Sequence, residues 1–162
     1  MNNFTIGCDP GINGALALLK DDTLLDVWDI PTTEKIGGKG KMISSQLLNL
    51  VIGEIKNICE GYGDSYVLCA NIELVNAYRQ GSTSAFSFGR SVGVIDGVIA
   101  VHNVPINYVT PQKWKKQFGL IKKDKDMART LVIQKFPEKA DLFKRKKDAD
   151  RADATLIGMF KE

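Results

Sequence analysis

Residues 3–19, NFTIGCDPGINGALALL, decide the fold class. From 3 to 9 the side chains alternate, with Phe4, Ile6 and Cys8 pointing one way and Thr5, Gly7 and Asp9 the other. That is the two-residue period of a strand with one face in a core. Pro10-Gly11 breaks the strand, and the apolar run 14–19 starts a second one. The turn Lys20-Asp21-Asp22 leads into a third strand at about 24–30, so the chain opens as an antiparallel meander.

Downstream, residues 32–41 contain Gly37-Gly38-Lys39-Gly40-Lys41 and are expected to form a flexible basic loop. Ile43, Leu47, Leu50, Val51, Ile55 and Ile58 recur at helical spacing, which predicts an amphipathic helix over 43–60, stopped by Gly61 and Gly63. Residues 66–75 are a near-continuous apolar run interrupted by Asn71 and Glu73, as in a strand buried on both faces. Ser82 is expected to cap a long helix reaching 102, along which Gly89, Gly93 and Gly97 recur every fourth residue. Each interior glycine costs about 1 kcal/mol relative to alanine, so the stripe implies close packing by another backbone. The sheet, a neighbouring helix or a second subunit would serve.

A fifth strand at 105–109 follows. Pro111 opens a helix with Trp114 and Phe118 on its apolar side, another helix runs over 123–136, and Asp148 is placed to cap the last one. Crossover helices make the fourth and fifth strands parallel to their neighbours. The expected fold is α/β: one domain over 1–162, with a mixed sheet of three antiparallel and two parallel strands flanked by helices on both sides.

With 44% hydrophobic and 25% charged residues the composition is that of an ordinary globular domain, which excludes a disordered chain. No run approaches about 18 uninterrupted apolar residues, and the start lacks a signal-peptide layout, so a cytoplasmic protein without a membrane partner is expected. Cys8, Cys59 and Cys69 are odd in number and lack metal-ligand spacing, so they read as small hydrophobes. The net charge of +3 conceals an asymmetry: residues 111–147 hold 13 Lys and Arg against 4 acids, a balance of +9, leaving −6 elsewhere. Such a basic segment fits contact with phosphates, and equally a solvated helix face.

Four acids stand out. Asp150 and Asp153, at i and i+3 of the last helix, lie on one face. The helix dipole accounts for Asp148 and goes far toward accounting for Asp150. Asp153 instead lies on the stripe of Ala149, Leu156, Ile157 and Phe160, where a carboxylate needs a metal ion or a buried basic partner. Asp9 precedes Pro-Gly as a turn-former would, whereas Glu73 sits in an apolar strand, where glutamate is depleted. Acids from three elements would form an all-oxygen ligand set for a hard divalent cation, the chemistry of metal-assisted phosphodiester hydrolysis.

At these residues the chain resembles the RuvC family of Holliday junction resolvases, in the RNase H-like superfamily, nearly end to end. Ile6-Gly7-Cys8-Asp9-Pro10-Gly11 is similar to the family's first strand, Asn71-Ile72-Glu73 to its central strand, Val109-Thr110-Pro111 with the lysines that follow to the segment after the fifth strand, and Asp150-Arg151-Ala152-Asp153-Ala154 to its closing acidic pair. The resemblance implies that Asp9, Glu73, Asp150 and Asp153 are catalytic and hold Mg2+, with Mn2+ as a substitute. It implies DNA contacts for Lys115 and Lys125, with Lys113 and Lys116 beside them, and for Tyr78, the aromatic of the 76–81 loop.

It also implies a homodimer built on the glycine-striped helix, cutting four-way DNA or other branched DNA such as three-way junctions and flaps in a bacterial or phage-infected cytoplasm. Small size is compatible with a phage member. Some relatives carry histidine where this chain has Asp150, which leaves open whether Asp150 is ligand, base or both. His102, far from the acidic motifs, reads as structural, and the 33–41 loop has no role that the resemblance assigns. Two alternatives are a branched-DNA-binding architectural protein with little cleavage, and an actin-like or sugar kinase ATPase lobe. The first predicts missing acids, and the second needs a second lobe that this chain does not provide.

Overall fold

The computed structural model describes residues 1–75 and 81–162. Strands β1 (Asn2–Asp9), β2 (Ala15–Lys20) and β3 (Thr23–Asp29) form the expected meander. A short hairpin, β4 (Thr32–Glu34) and β5 (Lys41–Ile43), precedes α1 (Ser45–Glu60), and β6 (Tyr66–Glu73) leads to α2 (Ser82–Val101). After β7 (Ile106–Val109) come α3 (Pro111–Gln117), α4 (Asp126–Lys135), two 3-10 turns at Pro137–Phe143 and Lys146–Asp148, and α5 (Ala149–Met159).

The main sheet has the order β3-β2-β1-β6-β7. Antiparallel pairing joins β1 to β2 and β2 to β3, and parallel pairing joins β1 to β6 and β6 to β7. The alternation in β1 divides the core in two. Phe4, Ile6 and Cys8 face a layer completed by α1 and α2, with Ile52, Ile55, Ile95 and Ile99 buried in it. The other face meets a layer containing Trp114, Val132, Phe143, Leu156 and Ile157.

On that second face α5 lies directly on β1. A Cβ added to Gly7 would overlap the backbone of Ala154 and Gly158, and one added to Gly158 would overlap Leu19 and Gly7. Only two facing glycines permit that approach. Asn71 fixes the far end of α5, its side-chain amide donating to the Ile157 and Phe160 carbonyls at 3.1 and 3.2 Å. The polar break in the apolar run of β6 is thus a clamp on a helix end, satisfying carbonyls that would otherwise lack donors.

Several local expectations are corrected. Residues 32–41 are not simply a loop: Thr32 pairs with Ile43 and Glu34 with Lys41 across the β4-β5 hairpin. In α1 the buried residues are Leu48, Ile52, Ile55 and Cys59, while Leu47 and Leu50 are 46% and 66% exposed; apolar residues around the helix allowed more than one stripe to be drawn. Ser44, whose side chain accepts from the Leu47 amide, caps that helix. Gly81, not Ser82, is the N-cap of α2, and no side chain caps it.

Asp148 makes no capping bond to α5. It is buried against Arg145, which donates from its backbone and its guanidinium in a reciprocal capping box of the preceding 3-10 turn. His102 bonds through Nε2 to Asn49 Oδ1 at 2.9 Å, tying the end of α2 to α1 as a structural histidine would. Although α2 lacks an unbroken apolar run, its mean hydropathy of 1.3 makes it long and apolar enough by composition to cross a membrane. Gly89, Gly93 and Gly97 on it are exposed, and among the described residues nothing outside the helix's own backbone stands within 4 Å of a Cβ built at any of them, so neither the sheet nor another described helix packs on that stripe.

Candidate active site

β1 and β6 are adjacent, parallel and in register, with Cys8 opposite Ile72, so Asp9 and Glu73 end the two strands at the same level. The carboxyl ends of neighbouring parallel strands are where open α/β sheets bind ligands. Helix α5, seated on Gly7, brings Asp150 and Asp153 to that same edge. Carboxylate oxygens of Asp9, Asp150 and Asp153 lie within 4.8 Å of one another, a group able to hold a metal ion. Glu73 stands outside that triplet but lines the same cleft, about 360 Å³ in volume, with the three aspartates, Lys115 and Lys125.

The electrostatics register this crowding. Burial, then repulsion from Glu73, Asp153 and Asp150, pushes the Asp9 carboxyl up to about 8, with Lys125 pulling the other way. Asp153 is raised to about 7 by burial and by Glu73 and Asp150, against Lys115 and Lys125. Asp150 is also raised, chiefly by burial. Among the described residues none of the four acids takes part in an ion pair. Partly desolvated carboxylates left in this state favour either a proton or a cation, and a donor set made wholly of oxygens suits a hard divalent ion. The residues present therefore fit the metal site expected from the sequence.

Basic residues surround the acids without neutralising them. Arg151, next to Asp150, turns away and forms a two-pronged pair with Asp29, Nε to Oδ1 at 2.6 Å and a second nitrogen to Oδ2 at 2.8 Å, locking α5 to the end of β3. Lys115 Nζ lies 5.2 Å from the centre of the Trp114 ring. Lys113 and Lys116 are exposed outside the cleft, and Lys113 pairs with Glu162 at 3.3 Å. Tyr78 lies outside the described residues.

Solved structures with this architecture exist. Thermus thermophilus RuvC in complex with a Holliday junction substrate superposes with a TM-score of 0.57 at 16% identity, covering 96% of this chain and 90% of that one. The chain has the RuvC fold, an RNase H-like fold. A second T. thermophilus RuvC structure gives a TM-score of 0.52, again at 16% identity, over 96% of this chain and 91% of the other. The sequence matches no protein-family model and no curated relative.

Within the RuvC fold of this chain, five further residues shape the site. Trp114, expected from its spacing only to line an apolar helix face, donates its indole N–H to Glu73 Oε1 at 2.9 Å. Gly7 and Gly158 carry no chemistry but set the height of α5 above β1. Ile12 and Phe88 form part of the cleft wall. For Trp114 the available signal was its spacing behind Thr110-Pro111, a helix start that aims the fourth residue back at the sheet edge; for Phe88 there was none.

Proposed function

We propose that this protein is a metal-dependent endonuclease that cuts Holliday junctions or other branched DNA, acting as a symmetric dimer. The observation that carries the reading is the meeting of Asp9, Asp150 and Asp153 within 4.8 Å beside Glu73, on a RuvC fold. One of the similar solved structures is a complex with a Holliday junction substrate, which supports branched DNA as the substrate here.

In this reading Asp9, Glu73, Asp150 and Asp153 hold Mg2+, or Mn2+ in its place. Ions held there would supply Lewis-acid chemistry, lowering the pKa of a water and offsetting charge on the leaving oxygen. The chain's own groups do the rest. Trp114 holds one oxygen of Glu73 and leaves the other free to face the cleft. Lys115 and Lys125, on the cleft wall, meet non-bridging oxygens of the phosphate and offset its charge. Lys113, Lys116 and Tyr78 contact the flanking DNA. Asp150, the least constrained of the aspartates in its role, is ligand, base or both.

The dimer rests on α2. Only 17% of its most apolar stretch is buried, and its glycine stripe faces outward with no Cβ to keep another backbone away. A second copy packing there would give two sites related by a two-fold axis, suited to paired cuts across a symmetric junction. The bacterial or phage-infected cytoplasm is the compartment where such a substrate arises.

A panel of four-way, three-way, flap and linear duplex DNA tests the reading, with products mapped on both strands. Expected are metal-dependent nicks in branched substrates and none in linear duplex. Tight junction binding without cutting in any divalent ion would instead favour an architectural role.

A further inference from the structure

The β4-β5 hairpin is the one element for which the nuclease reading has no use, and it does not stand free. Between it and the first half of α2 runs a groove of about 530 Å³. Its bed is apolar, made by Met42, Ile43, Phe88 and Val94, and its rim carries Lys35, Lys41 and Arg90. All three cations are exposed, and among the described residues none is paired with a carboxylate; nor does any acid line the groove. A third hairpin lysine, Lys39, sits at the tip, in a turn where Gly37 and Gly40 adopt φ values of 71° and 102°. Those are backbone conformations that other residues enter at a cost, so the tip is built to present lysines on a tight reversal.

The groove adjoins the acidic cleft, because Ile12 and Phe88 line both. A polymer with one phosphate at the acids would have its next residues in the groove. Three unpaired cations select a polyanion, and an aromatic-bearing apolar bed between them selects one with exposed flat faces. A duplex satisfies the first requirement only, since its bases are stacked on one another. The volume falls in the range of about 300 to 1,000 Å³ that accepts small ligands, the scale of one or two nucleotides and too small for a helix.

The geometry points to this groove as a seat for unpaired nucleotides beside the phosphate that is cut, with Lys35, Lys41 and Arg90 on the backbone and the bases against Met42 and Phe88. The inference rests on the nuclease reading and deepens it. Branched DNA can release a base at its crossover point at little cost, whereas a linear duplex must first be unstacked, so the groove is a device that favours branched over linear substrates.

The test is binding without divalent ions, so that nothing is cut, to a four-way junction carrying 2-aminopurine at the branch point and to a linear duplex of the same sequence. Lys35→Ala/Lys41→Ala/Arg90→Ala should weaken junction binding at least tenfold and lower its log–log salt slope by about 2, at roughly 0.7 per single-strand phosphate contact, while changing duplex binding much less. Ser87→Leu, which fills the groove from α2 without altering charge, should abolish the fluorescence change at the branch point. Melting curves matching the wild type establish that both variants fold. If both bind the junction with wild-type affinity, slope and fluorescence, or if duplex and junction binding fall equally, the groove is not this seat, and the nuclease reading stands. Wild-type protein that neither binds nor cuts any of these DNAs would remove both.

Discussion

The indole N–H of Trp114 donates to Glu73 Oε1 at 2.9 Å, from a ring with no solvent exposure. Trp114 reaches that position because Thr110 caps α3, its side chain accepting from the Lys113 amide, with Pro111 in the first turn. The ring thus acts as core for one layer and as a brace for the acid that ends β6. Trp114→Phe keeps most of the apolar bulk and removes the donor. Expected are a drop of tenfold or more in kcat for DNA cleavage with a much smaller change in KM, and a stability loss of about 1–3 kcal/mol from the lost bond and the gap. Steady-state cleavage and thermal melting check the two parts. An unchanged kcat would show that Glu73 needs no brace.

Stability of the metal-free protein should depend on pH in an unusual direction. Asp9 and Asp153 are raised to about 8 and about 7 in the folded chain, so between about pH 4 and those values the fold retains protons that the unfolded chain has released. Stability therefore falls as pH climbs through that window. Asp9→Asn removes one of the buried charges and should raise the metal-free melting temperature at pH 8 by several degrees, with little effect at pH 5. Magnesium or manganese should restore the wild type at pH 8 and do less for the variant, since only a site able to bind gains from the ligand. Melting scans at both pH values, with and without metal, read this out.

Gly7→Ala is the substitution expected to do most damage for its size. A methyl group there meets the α5 backbone at Ala154 and Gly158, which cannot yield as a side-chain tip could. Moving α5 off β1 also moves Asp150 and Asp153 away from Asp9. A loss of about 2–4 kcal/mol is expected, as for overpacking against a rigid neighbour, together with weaker metal binding. Denaturant unfolding and metal titration measure the two effects.

The lysines on the cleft wall have a distinct signature. Lys115→Ala with Lys125→Ala should slow cleavage and reduce the log–log salt slope of DNA binding by about 1–2, one phosphate contact per lysine. Lys113→Ala, outside the cleft and paired with Glu162, should change cleavage far less. Binding measured over a series of salt concentrations separates them.

How much of this was legible in the sequence depends on the kind of signal. The alternation of β1 and the turn at Pro10-Gly11 gave the meander and the outlook of Asp9, because strand period and turn chemistry are local. The parallel placement of β6 followed from the crossover helix, and that placement brings Glu73 level with Asp9. The buried stripe of α1 is ambiguous in the sequence, since Leu47, Leu50 and Leu48 offer competing apolar faces and only the sheet beneath selects among them. Asp148 has two local options, capping the helix that follows or pairing with Arg145 three residues earlier, and the folded chain takes the second. The Gly7–Gly158 contact spans most of the chain, so no window of sequence could reveal it. The β4-β5 hairpin was hidden by its glycines, which read as a loop until the pairing of Thr32 with Ile43 closes it.

The four acids are expected to share divalent ions, and crystals soaked in Mn2+ and measured for anomalous scattering test that most directly. Expected is manganese density bounded by Asp9, Asp150 and Asp153 with Glu73 alongside, lost in Asp153→Asn. A cleft without manganese at saturating concentration, with Lys115 or Lys125 folded onto the carboxylates instead, would contradict it.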